Sequence, residues 1–125
     1  MILAAKQNKA DCVRLLIENG ADVNLQSSDG WTALMVAIQE ENLDCVRLLL
    51  ENGADVNLQD SGGWTALILA VWRQDLDCVE LLIKNGANVN LQNRNGWTAL
   101  MTAVQDENLE FVRLLLKNGS NANLQ

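Results

Sequence analysis

Apolar positions along this chain come in short bursts. Leu34, Val36, Ala37 and Ile38 give one apolar face to a short helix, and Thr32 stands where its hydroxyl can accept a backbone N–H at the helix start. A second burst follows Asn42. Val46, Leu49 and Leu50 fall at i, i+3 and i+4, while Leu48 lies off that stripe. A helix that is apolar on more than one side belongs between neighbours. Asn42, and Asp75 and Asn108 further along, are the expected caps of such second helices. Asn52-Gly53 ends the burst, with Gly53 suited to the left-handed position just past a helix. The polar, glycine-bearing stretch from Leu58 to Gly63 reads as a turn.

The pattern then repeats. Gly30-Trp31-Thr32-Ala33-Leu34 returns at Gly63 and again at Gly96, both times after 33 residues. Asn19-Gly20-Ala21, Asn52-Gly53-Ala54, Asn85-Gly86-Ala87 and Asn118-Gly119-Ser120 keep the same step, as do Asn24-Leu25-Gln26, Asn57-Leu58-Gln59, Asn90-Leu91-Gln92 and Asn123-Leu124-Gln125. The chain divides into a partial unit, 1–26, and three full units, 27–59, 60–92 and 93–125, all within one domain. One helix–loop–helix–turn unit is too small to bury its own apolar face, so stacked copies bury it jointly. Ile17, Leu50, Ile83 and Leu116 are expected between the layers. Leu3 and Val13 at one end, and Val112 and Leu115 at the other, are expected to stay open because no further unit covers them. End-to-end self-association is one consequence.

Composition narrows the function. The 125 residues carry a net charge of -7 and include no His, Pro or Tyr. Without His, the commonest metal ligand, the commonest general base and any Ser-His-Asp or Cys-His nucleophile are missing. The acidic balance argues against nucleic acid and against an anionic membrane surface. No apolar run approaches the ~20 residues of a membrane span, and the opening Met1-Ile2-Leu3-Ala4-Ala5 is too short, and without a basic flank, for a signal peptide. Cys12, Cys45 and Cys78 occupy one site per unit, replaced by Phe111 in the last. Helices in contact sit about 8–10 Å apart, too far for a disulfide between equivalent residues, and no Cys-x-x-Cys spacing offers a zinc site. Buried free thiols in a reducing, intracellular compartment are the expectation. Glu40, Glu41, Asp106 and Glu107 cluster without isolating an acid–base pair, and no glycine-rich loop is built for phosphate. No cofactor, metal or catalytic residue is expected.

The 33-residue pattern closely resembles the ankyrin repeat over essentially the whole chain. Asp60-Ser61-Gly62-Gly63-Trp64-Thr65-Ala66-Leu67 stands for the opening Asp-x-x-Gly-x-Thr-Pro-Leu-His, Leu76 to Leu82 for the second helix, and Asn85 to Asn90 for its ending. The resemblance implies an all-α, elongated and curved solenoid with hairpin-like turns, serving as a protein-binding scaffold. The family's Pro and His are missing at Ala33 and Met35, Ala66 and Ile68, Ala99 and Met101, so the turns are expected to be less tightly braced. Asn8, Glu41, Gln74 and Glu107 stand where the family favours Gly after the first helix. A positive φ there costs on the order of 1 kcal/mol per residue. Neither end resembles a polar capping repeat, and the copies match closely. A section of a longer array is therefore expected, natural by recent duplication rather than designed.

In the family, the residue after the turn Gly lies beside the projecting turn on the concave side. Trp31, Trp64 and Trp97 hold that position, either as an aromatic binding strip or as packing that stiffens the turns. The units also act as an internal alignment. Surface positions where they differ are where a ligand is written. Lys6-Gln7, Gln39-Glu40, Trp72-Arg73 and Gln105-Asp106 differ at the end of the first helix, and Ser28-Asp29, Ser61-Gly62 and Arg94-Asn95 differ at the turn tips. Trp72 replaces polar residues and is expected to be exposed. The expected function is recognition of a protein partner, anchored by Trp72 with Trp64 and Trp97 and ringed by Arg73, Glu40 and Asp106. Two rivals are a structural spacer without a partner of its own and a nucleotide site built on Trp stacking. Lys6, Arg73 and Arg94 are too few and too scattered to hold phosphates.

Overall fold

The computed structural model describes residues 1–123; Leu124 and Gln125, which complete the last Asn-Leu-Gln copy, lie outside the described residues. Among the described residues there are eight short helices and no strand. They form two rows. The inner row is α1 (Ile2–Lys6), α3 (Ala33–Gln39), α5 (Ala66–Trp72) and α7 (Ala99–Gln105). The outer row is α2 (Ala10–Glu18), α4 (Leu43–Glu51), α6 (Leu76–Lys84) and α8 (Leu109–Lys117). Each inner helix packs on its own outer helix and on the inner helix of the next unit, while the outer row touches more thinly. This is an all-α stack of helix–loop–helix units.

The apolar stripe sorts by direction. Leu34, Ile38, Val46, Leu49, Leu67, Val79, Leu82 and Leu115 are fully buried between the rows, each contributing roughly 1.5–3 kcal/mol of burial. Leu50 is buried as expected, but Ile17 and Ile83 are only half-buried and Leu116 is exposed. One residue past Leu49, the helix has turned about 100°. These side chains therefore point along the stack rather than into it, and among the described residues no outer helix follows α8 to cover Leu116. The ends follow the same logic. Leu3 is 65% exposed, whereas Val13 and Leu115 are fully buried and Val112 is half-buried, because these three face their own unit's inner helix. Besides Leu3, the apolar residues left open are Leu15 and Leu16 at one end and Val104, Leu109 and Leu116 at the other.

Helix starts are capped where the sequence suggests, with one exception. Thr32, Thr65 and Thr98 accept from the N–H of Met35, Ile68 and Met101, and Asp75 and Asn108 accept from those of Cys78 and Phe111. Asn42 does not cap α4. Its amide donates to the Ala5 carbonyl at 2.7 Å, tying the second unit to the first. Helix ends close in one way throughout. Gly53 has φ 89°, its N–H bonds to Leu50 O, and the Ala54 N–H bonds to Leu49 O, the paired bonds of a Schellman turn. Inner helices end likewise, with Asn8, Glu41, Gln74 and Glu107 at φ 52° to 59°. Glu41 N–H bonds to Ile38 O and Asn42 N–H to Ala37 O. The strain of ~1 kcal/mol at each such residue is smaller than the burial of a single leucine, so the turns hold. The Asn before each glycine, Asn19, Asn52, Asn85 and Asn118, donates its side-chain amide to the carbonyl four residues back at 2.7–2.8 Å.

The turns are braced after all, by other residues than the family's His. Asn24 donates to Gly53 O and accepts from the Asp55 N–H at 2.7 Å; Asn57 does the same to Gly86 and Asn88, and Asn90 to Gly119 and Asn121. Gln26 donates to Gly30 O within its turn and to Gln59 O in the next, and Gln59 repeats this to Gly63 O and Gln92 O. The repeated Asn-Leu-Gln is thus a polar ladder linking unit to unit. Gly63 sits where the turns meet. A Cβ there would lie 2.9 Å from backbone atoms of Asn93 and Arg94, so only Gly lets the turns approach.

Gln74→Gly should raise the urea unfolding midpoint by the equivalent of about 0.5–1 kcal/mol, since it relieves a left-handed residue at the cost of some chain entropy. Asn57→Ala should lower stability by about 1–2 kcal/mol, because it removes two bonds between units. Urea titrations followed by circular dichroism check both.

Candidate partner-binding surface

The inner-helix face and its turn tips carry the varied residues. α5 ends in Trp72, whose position in the other units is polar, and its ring is 53% exposed. The chain enters α5 through Trp64, just before the Thr65 cap. The two indoles meet edge to face, centroids 6.2 Å apart and planes 78° apart, the arrangement that sets a ring's positive edge against its neighbour's negative face. Trp97, at the same place in the next unit, is 36% exposed. Trp64, Trp72 and Trp97 line one cleft of about 190 Å³ together with Asn93, Asn95, Thr102 and Gln105.

The aromatic strip expected from Trp31, Trp64 and Trp97 is therefore uneven. Trp31 and Trp64 are half-buried and packed against the core, so they stiffen the turns. Trp97 is more open, and among the described residues a Cβ at Gly96 would meet open space. Arg73 does not stand free beside Trp72. Its Nη2 bonds to Glu41 Oε1 of the preceding unit at 3.2 Å. Glu40, Asp106 and Arg94 are exposed and Gln39 is half-buried, none of them lining the cleft; Gln105 does line it. Asn95, named among the varied turn tips, lines it too; Asn93, Thr102 and Glu41 are the participants not named for this surface. Thr102 had a visible signal, since it stands where the other units have Leu3, Val36 and Leu69. Glu41 had none, because its pairing depends on the neighbouring unit.

The thiols divide two to one. Cys45 and Cys78 are buried, but Cys12 is exposed, contrary to expectation. This site packs toward the preceding unit, and α2 belongs to the first. Burial pushes the Cys45 thiol up, helped by the charge of Asp44. Burial, then the hydrogen bond and charge of Asp75, push Cys78 up much further. Among the described residues no group of His, Cys, Asp and Glu is arranged to hold a metal, and no helix is long and apolar enough to cross a membrane.

The stacked units, their period and the turn geometry agree with the comparison to known families: the ankyrin repeats (3 copies) match at residues 1–60 and 52–125. The chain belongs to the ankyrin-repeat family. Ankyrin repeats are generally protein–protein interaction modules, and the family is generally non-catalytic. No curated protein matches the chain.

A thiol reagent at neutral pH should label one cysteine per native chain quickly, and Cys12→Ser should abolish that fast phase. The buried pair also sets a pH dependence. A raised folded pKa means that above the ordinary thiol value, about 8.5, the unfolded chain loses protons that the folded one keeps. Stability should then fall as pH rises past that value, and the fall should shrink in a Cys45→Ala, Cys78→Ala double variant. Urea unfolding midpoints measured between pH 7 and 10 check this.

Proposed function

We propose that this chain is a recognition module that holds a protein partner on its inner-helix face and turn tips. Trp72 is the central anchor, with Trp64 and Trp97 beside it. Gln39, Glu40, Gln105, Asp106, Arg94 and the Arg73–Glu41 pair form the polar rim. The observation that carries this reading is the state of Trp72: 53% exposed, yet held edge to face on Trp64. A large ring that is already positioned loses little freedom on binding, and Trp is enriched among residues that dominate interfaces. Trp31 serves the same face as a half-buried support for the turns. The absence of His leaves general-base chemistry to carboxylates, and no carboxylate lines the cleft.

Trp72→Ala should weaken partner binding at least thirtyfold, the scale of a hot-spot truncation of about 2 kcal/mol, while helicity by circular dichroism stays unchanged. Lys84→Ala on the outer row should leave binding alone. Quantitative capture from a reducing cell lysate, with both variants side by side, measures this. If Trp72→Ala lowers thermal stability and leaves every captured protein in place, Trp72 covers a helix junction and the reading fails.

A further inference from the structure

Resting on that reading, we infer that the partner presents a basic segment, with an arginine or lysine side chain seated on the Trp64–Trp72–Trp97 cleft. The cleft is lined by three indoles and four polar side chains, two of which are already engaged. The Asn93 Oδ1 already accepts from the N–H groups of Asn95 and Trp97, at 2.9 and 3.0 Å. The Thr102 hydroxyl already donates to Thr98 O. What remains for an occupant is the indole surface and the side-chain amides of Asn95 and Gln105. No cation and no carboxylate lines the walls. The negative face of an indole attracts an ammonium or guanidinium, most strongly of all the aromatic side chains.

The charges around the cleft point the same way. Of the two cations that adjoin lining residues in sequence, Arg73 is closed against Glu41 at 3.2 Å, which leaves that pair neutral. Arg94, between Asn93 and Asn95, is exposed at the turn tip and does not itself line the cleft. Exposed Glu40, Asp106 and Glu107 stand at the ends of the inner helices, within a chain of nine basic and sixteen acidic residues. An acidic segment meets this surface with like charge. A wholly apolar one leaves the Asn95 and Gln105 amides desolvated without partners. A guanidinium or ammonium meets π faces and amide oxygens that accept its N–H groups. A cleft of about 190 Å³ suits one long side chain, the rest of the segment lying along the acidic rim.

The test uses a display library of random twelve-residue peptides, sorted on the intact chain and in parallel on Trp72→Ala, with Trp97→Ala as a second variant and circular dichroism as the check on folding. Peptides retained by the wild type and lost on both variants should be enriched in Arg and Lys over the library. A synthetic peptide from that pool should bind at least tenfold more weakly when its central Arg becomes Gln, and Trp72→Phe should restore most of the binding that Trp72→Ala removes. Peptides that depend on Trp72 but are acidic or uncharged overturn the cationic inference and leave the recognition surface standing. Peptides indifferent to both variants, or no enriched peptide at all, overturn the surface as well.

Discussion

An inner helix of seven residues has barely two turns, and an isolated helix that short does not hold in water, because the cost of nucleation is never recovered. No unit of this chain is therefore stable by itself. What holds each helix is the apolar surface of its own unit's partner and of the next unit, so the interface between copies is the structure. Every recurring residue makes sense as a part of that interface. The buried leucines fill it, the turn glycines let backbones meet, and the Asn and Gln side chains satisfy polar groups that the loops would otherwise leave facing one another.

Repetition made most of this legible. Four copies of one pattern serve as their own alignment, so the period, the helix pairs and the Thr caps could be placed from residue types, and the residues forced to positive φ from the resemblance to a family that favours Gly there. What could not be placed was anything decided by a neighbour. Asn42 looks like a cap equivalent to Asn108, yet its amide donates to Ala5 O of the preceding unit instead. Cys12 looks equivalent to Cys45, yet it is exposed, since among the described residues no outer helix stands before α2. Leu116 and Leu50 are the same position in the repeat and differ in burial, since among the described residues no outer helix stands after α8. The polar ladder was visible as a motif, but its purpose was not, since each bond spans 29 to 33 residues.

The candidate surface follows from what the interface leaves unspecified. Once the core, turns and ladder are fixed, exposed positions remain where copies differ, on the outer helices (Arg47 and Glu80, Glu51 and Lys84) as well as at the inner-helix ends and turn tips. Trp72 was readable there as the odd residue out. The company it keeps was only partly readable. That it meets Trp64 edge to face depends on a long side chain leaning back over α5 toward its start, and the pairing of Arg73 with Glu41 belongs to two units at once. The array keeps its stability in residues common to all copies and its recognition in residues peculiar to one.

The asparagines at the outer-helix ends have a chemical consequence. An Asn followed by Gly is the pair most open to self-attack, in which the glycine nitrogen adds to the asparagine side-chain carbonyl, closes a five-membered ring and expels ammonia. This chain carries five such pairs, one at each of four outer-helix ends and Asn95-Gly96 at a turn tip. In each of the four at the helix ends, the side-chain amide is engaged with the carbonyl four residues back, and the glycine N–H is engaged with the carbonyl three residues before it. Both reactants are held apart for as long as the last helical turn is closed. The lifetime of the protein as an intact covalent molecule is thereby coupled to the fraying of its helix ends.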